Sequence, residues 1–291
     1  MNKSPVEQTN APKNTKYELL TTDTVKSWNG RTLYRIRALA AIAAIGVSAG
    51  DLGGYIEKQD NLQVSGDAWV SGNARVSGNA RVYGNARVSG DAWVSGNARV
   101  YGNARVSGDA WVYGNARVYS NARVSDNARV YDNARVYDNA WVSGNARVYS
   151  NARVYGNARV SGDAWVYGNA RVSGDARVYG DAQVSGNARV YGDARVSGDA
   201  WVYGDARVSL NIHFGWMSHV GSEDGTLTWY RTKMGIQVNR GCFHGTLEAF
   251  ESAVNKTHGD NQSAKEYRCL IDFIKLRSSS WINEETDQDA A

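Results

Sequence analysis

Val82-Tyr83-Gly84-Asn85-Ala86-Arg87 is one of twenty-four unbroken six-residue repeats filling 64–207. Each reads Val, Ser or Tyr, usually Gly, Asn or Asp, Ala, then usually Arg or Trp. Across the repeat boundary Ala86 and Val88 stand two residues apart, so Ala86-Arg87-Val88-Ser89 alternates inward and outward as a short strand does. Gly with Asn or Asp then turns a corner. Three such segments make an eighteen-residue coil. Stacking coils about 4.8 Å apart pairs each backbone with its neighbours along a triangular prism filled by Val and Ala. The period therefore predicts an all-β solenoid of about eight or nine coils.

The pattern of an aliphatic residue followed four positions later by a small one, as in Val82 and Ala86, holds throughout the tract. It resembles the hexapeptide-repeat left-handed β-helix superfamily and implies a single-stranded, left-handed parallel β-helix. The left hand rests on that resemblance alone, because the general rule for parallel crossovers favours the right. The lead-in Gly50-Asp51-Leu52-Gly53-Gly54-Tyr55-Ile56-Glu57 is similar to that of non-catalytic hexapeptide-repeat proteins of phages and prophages, including the YdcK-like group. Two degenerate hexads, 52–57 and 58–63, lead into the regular array.

Outside the repeats the chain divides into a polar, disordered tail (1–16), an N-terminal cap (17–51) and a small C-terminal α+β cap (210–291) around the β-helix (52–209). The tail holds both prolines. The N-terminal cap contains a strand-like Thr32-Leu33-Tyr34-Arg35-Ile36-Arg37 and an Ala/Ile run that fits helix or strand. In the C-terminal cap, 226–231 and 235–240 read as a hairpin turning around Thr232-Lys233-Met234. One helix is expected from Thr246, stopping at His258-Gly259-Asp260. A second is capped by Ser263, with Tyr267, Leu270, Ile271 and Ile274 on one face.

Composition bounds the setting. The net charge is +4, the two cysteines, Cys242 and Cys269, lie outside the repeats, and no signal-peptide pattern follows Met1. A reduced, cytoplasmic protein of a bacterial host cell is the expectation; a virion component, which needs no export signal, stays open. The most apolar stretch, 38–49, is too short to span a bilayer, so no membrane partner is expected.

Reading the array modulo eighteen exposes its faces. One outward column is wholly basic: Arg81, Arg99, Arg117, Arg135, Arg153, Arg171, Arg189 and Arg207. Two positions later come Tyr83, Tyr101, Tyr119, Tyr137 and Tyr155, so Arg and Tyr share a face. The second column mixes Trp93, Trp111, Trp165 and Trp201 with Arg75, Arg129, Arg147 and Gln183; the third holds Trp69 and Trp141 among arginines. Neighbouring unit charges about 4.8 Å apart in water repel by roughly 0.9 kcal/mol, a cost that a bound polyanion would remove. Guanidinium groups beside tyrosine rings suit phosphates and exposed bases, so single-stranded nucleic acid is one candidate partner. The stems could instead only coat the solenoid and meet corner aspartates; the array carries 17 Arg, no Lys and 12 Asp. Trp93 and Trp111, on consecutive coils, suggest a protein contact or self-association as a dimer or trimer.

Catalysis finds little footing. The array has no His and no inserted loop, whereas hexapeptide acyltransferases, by that resemblance, use a His base and often such a loop. Cys242 and His244 lack an orienting third group, and no metal, P-loop or dinucleotide motif is present, so no catalytic residue, metal or cofactor is assigned. The sequence reads as a non-enzymatic phage or prophage scaffold. Its first expected role is to bind a host or phage protein, engaging or inhibiting a host factor such as an anti-phage defence component. Polyanion binding is the alternative, a virion structural role a further one, and a residual acyltransferase the least favoured.

Overall fold

A computed structural model describes residues 14–281. The chain opens with an antiparallel pair, β1 (Tyr17–Lys26) and β2 (Thr32–Ala38), followed by β3 (Leu52–Ile56). Twenty-four two-residue strands then recur every six residues, from β4 (Trp69–Val70) to β27 (Arg207–Val208). Each pairs in parallel with the strand eighteen residues on, as Arg99 with Arg117 and Val100 with Val118. The result is a solenoid of about nine coils with three sheets.

Composition explains the geometry. From Ala68 to Val208 every inward Ala and Val of the repeat is fully buried, and together they form one continuous core. Only small and medium side chains fill so narrow a prism without strain. Each corner places its Gly at positive φ, for example Gly84 at 71° and Gly156 at 69°. Five corners carry another residue there: Ser120, Asp126, Asp132, Asp138 and Ser150, at φ of 56–59°. The three aspartates gain a compensation, since each carboxylate accepts a backbone N–H from the next coil, from Gly144, Ser150 and Gly156 respectively.

The regular repeat starts later than its sequence. Ile56 pairs with Val76 and Leu62 with Val82, a separation of twenty residues, so the first coil is two residues longer than those that follow. Val64, expected to point inward, is exposed, and Leu62 takes the inward place. Leu62 shares the core with Tyr17 of β1 and Ile36 of β2, so packing against the cap sets this phase.

Both ends are closed by dedicated elements. β1 and β2 extend the sheet of β3, burying Leu33 and Ile36, and the Ala/Ile run forms only a short 3-10 turn at Ala43–Ile45. Of the expected tail, 1–13 lies outside the described residues. Lys16, by contrast, is buried and donates from Nζ to the carbonyls of Gln63 (3.1 Å) and Ala68 (2.6 Å). At the other end β28 (Phe214–Val220), β29 (Gly225–Thr232), β30 (Gly235–Arg240) and β31 (Phe243–Thr246) form an antiparallel sheet, backed by α1 (Leu247–His258) and α2 (Gln262–Ser278). The hairpin, with Lys233 and Met234 at its tip, and both helices follow the sequence reading. The cap of α2 is a correction: Asn261, not Ser263, accepts the N–H of Ala264. Tyr230 reaches from β29 into the solenoid core and plugs its end.

The corners give a paired prediction. Gly156→Val forces a β-branched residue into the left-handed region, with backbone atoms of Gly174 only 3.0–3.4 Å from the new Cβ. It should cost about 2–3 kcal/mol. Ser150→Gly relaxes a corner that now holds a side chain and should gain up to about 1 kcal/mol. Denaturant unfolding of the two variants checks both signs.

Candidate functional site

The wholly basic column is realised as one eight-stranded sheet, in which all eight arginines lie in register from Arg81 to Arg207. This arginine face carries eight of the array's 17 Arg. The face of Trp93, Trp111, Trp165 and Trp201 carries three, and the third face six. Of the array's twelve aspartates, six lie on the two corners that border this face, Asp67, Asp138, Asp175 and Asp193 on one and Asp132 and Asp205 on the other, and six lie away from it. Asp91, Asp109, Asp126, Asp163, Asp181 and Asp199 occupy the corner opposite the arginine face. The solenoid is therefore electrically lopsided in cross-section, which summing its charges along the chain conceals. Among the described residues, Arg81, Arg99, Arg117, Arg135, Arg153, Arg171 and Arg189 form no ion pair. Arg81 and Arg99 are exposed, and the others are half-buried among their neighbours.

Asparagine ladders border this face on both sides. On one corner Asn79, Asn97, Asn115, Asn133, Asn151, Asn169 and Asn187 each donate to the next, and Asp205 accepts the last bond at 3.1 Å. On the other, Asn85 to Asn157 repeat the pattern and end on Asp175. Each amide meets its copy one coil on, so these corners are held by side chains as well as backbone. The terminal aspartates accept from their ladders.

Tyr83, Tyr101, Tyr119, Tyr137 and Tyr155 form an unbroken stack, with ring centroids 4.8–5.0 Å apart and planes within 3°. This corrects one expectation. A base entering between two rings needs about 3.4 Å on each side, roughly 6.8 Å in all, so the interior ring faces are closed to nucleobases. A second stack, Tyr113, Tyr131, Tyr149 and Tyr167, runs along the tryptophan face. Sequence reading missed it, although its four tyrosines are spaced by eighteen residues. Burial holds the phenols of Tyr83, Tyr119 and Tyr137 above their usual range, and neighbouring tyrosines add to the shift. Burial, then Tyr113 and Tyr149, pushes Tyr131 up to about 12.

The tryptophans are similarly occupied by their own neighbours. Trp93 and Trp111 stack at 5.4 Å, and guanidiniums cover the outer faces of the pair, Arg75 over Trp93 at 4.9 Å and Arg129 over Trp111 at 5.5 Å. Trp93 is half-buried, while Trp111 leaves 38% of its surface open, mainly an edge. This sandwich is chiefly a packing device of that sheet.

The histidines stand in four different settings. His213 is buried beside Ser209; His219 is exposed and paired with Asp224. His244 lies edge-on to Tyr203, and His258 packs beside Tyr267. Cys242 and Cys269 are free and exposed. Among the described residues, no group of three or more His, Cys, Asp or Glu could hold a metal ion, and no helix is long and apolar enough to cross a membrane.

A family model for the YdcK beta solenoid repeat matches twelve stretches of the chain, many of them overlapping, from 62–78 and 68–82 through 98–114 and 152–168 to 188–204. All lie within the repeat array, which is thus similar to that solenoid repeat. No curated protein matches the chain.

Two measurements follow. Phenol groups whose folded pKa is raised keep their protons longer in the native than in the unfolded chain, so the native state binds more protons above pH 10 and stability falls as pH rises from 10 towards 12. Tyrosinate absorbance should therefore lag behind that of the unfolded chain until the solenoid melts. Replacing Arg117 by Gln removes repulsion from two neighbours and should stabilise by up to about 1 kcal/mol at low ionic strength. That gain should shrink towards zero near 0.5 M salt, as read by thermal melts.

Proposed function

We propose that the chain is a non-enzymatic phage or prophage scaffold of the hexapeptide-repeat class that binds an acidic protein surface through its arginine face. The lead-in before the first coil points to that setting, in which a host factor, including an antiviral defence component, is the partner and the host cytoplasm the place. The carrying observation is the in-register column of eight arginines, seven of them without an ion pair among the described residues, held between two hydrogen-bonded asparagine ladders.

Chemistry favours a protein over a nucleic acid. The large outward residues of the array are Arg, Tyr and Trp, with no Lys, which matches the residues that dominate protein–protein interfaces. Closed ring stacks remove the base-stacking platform that single strands use, leaving only guanidinium contacts to phosphates. Rigidity adds to the case. Side chains already ordered by stacking lose little further entropy when a partner docks, so a modest number of charge pairs suffices. The acidic corner opposite the arginine face repels the same partner, so only one orientation is favourable.

The test is capture of a partner by tagged wild-type protein and by two variants. Arg99→Glu/Arg117→Glu/Arg135→Glu should weaken capture, whereas Trp93→Ser/Trp111→Ser should leave it at the wild-type level. Capture undiminished by the triple reversal rejects the arginine face. Fluorescence anisotropy of a labelled single-stranded oligonucleotide decides between partner classes: micromolar binding at about 150 mM salt with a steep salt slope would replace the protein reading with a polyanion one.

A further inference from the structure

The arginine face does not simply end at its last coil. There the hairpin of β29 and β30 folds over it and makes a groove of about 470 Å³, of a size that takes a few residues of peptide. Its floor is the last three members of the column, Arg171, Arg189 and Arg207, and Lys233 at the hairpin tip adds a fourth cation. Among the described residues, Asp205 is the one acid lining it. That carboxylate accepts the final bond of the asparagine ladder from Asn187, so the ladder already occupies it. Two further features distinguish this groove from the open face. Gln237, on β30, lines its wall; its Oε1 is buried behind that wall beside Gly204 and, among the described residues, accepts no hydrogen bond. Met234, 94% exposed on the rim, offers a flexible apolar surface.

These features call for a ligand that brings several anionic oxygens, at least one N–H and some apolar bulk. Resting on the reading of the arginine face given above, we infer that the groove is a dedicated site for an acidic peptide segment of the partner, and that this end anchors it. Carboxylates meet Arg171, Arg189 and Lys233, the Gln237 side chain turns its unpaired Oε1 into the groove to accept a peptide N–H, and an apolar side chain lies on Met234. A bare phosphate chain supplies neither the N–H nor the apolar group. The middle of the face then contributes general attraction, and the groove sets where the partner stops along the solenoid.

The probe is a fluorescein-labelled Glu-Glu-Leu-Glu-Glu-Leu peptide, followed by anisotropy with the full chain, each variant first shown to melt like the wild type. Arg171→Glu/Lys233→Glu should weaken binding at least 10-fold. Gln237→Leu, which removes the acceptor without changing charge, should weaken it about 3- to 10-fold and leave the salt slope unaltered. Arg99→Glu/Arg117→Glu, in the middle of the face, should change it less than 3-fold. If groove variants bind like the wild type while the mid-face pair loses binding, the groove is overturned and the arginine face stands. If neither set matters, both fall. Equal binding by Gln237→Leu and wild type overturns the peptide N–H contact, and with it the choice of a peptide.

Discussion

The structure depends on hydrogen bonds that run mostly one way. In every coil up to three backbone N–H groups of each hexad donate to carbonyls of the following coil, as Asn97 to Gly114, Arg99 to Ala116 and Tyr101 to Val118, while the parallel pairing returns one bond from the inward Val to the coil before. A solenoid built so has unlike ends: mostly carbonyls are left over at the first coil and mostly N–H groups at the last. Buried and unmade, such groups would each cost about 1–3 kcal/mol. The caps answer each in kind. At the carbonyl end the side chains are donors: Lys16 to Gln63 and Ala68, Tyr17 to Gln59 and Leu62, Arg35 to Gly53 and Gly72, and Asn61 to Gly78 and Ala80. At the N–H end the hydroxyl of buried Thr228 accepts from Trp201, and Asn239 donates to the Trp201 carbonyl that the missing next coil leaves over. Burying Lys16 is costly, and its ammonium pKa falls to about 8 through desolvation, against the pull of Asp67. That an ammonium is nonetheless kept there shows how strongly the exposed carbonyls need donors.

Much of this was legible in the residues, for physical reasons that differ along the chain. Inside the array each hexad makes the same choice between inward Val and Ala, outward Arg or Trp, and a corner at positive φ. Local preference and global fold therefore agree at every repeat. Register follows from the period, which is how the eight arginines could be assigned to one face. The caps read less well because their contacts are long-range and made once. Nothing in the sequence around Lys16 announces a capping donor; polarity there suggested a tail. Val64 sits in perfect repeat phase yet points outward, because a two-residue excess in the first coil is a property of chain packing against β1 and β2. β28 and β31 were missed for a similar reason, since they are strands only by pairing with β29 and β30.

At the candidate site, the column arithmetic placed the charges correctly and misjudged the rings. Modulo eighteen says which side chains are neighbours, and those neighbours lie one strand spacing apart. At that distance aromatic rings satisfy one another. Tyr and Trp thus become structural mortar, while guanidiniums, which cannot neutralise their own kind, keep an unmet electrostatic demand. The far corner gathers six aspartates, against four and two at the corners that border the arginine face, and this sharpens it. The bias depends on which hexads carry Asp in place of Asn, or of Gly at Asp126, a small difference scattered through the repeats that only the cross-section assembles into a pattern.

The unlike ends of the coil stack also bear on how copies of this molecule behave towards each other. A carbonyl end and an N–H end are mutually complementary, so an uncapped rod is a monomer in the polymer chemist's sense, ready to add head to tail into a fibre without limit. Lys16, Tyr17 and Thr228 act as chain terminators. The caps therefore do for the population what the valines and alanines do for the individual: they keep a surface that is made to repeat from repeating beyond its own length.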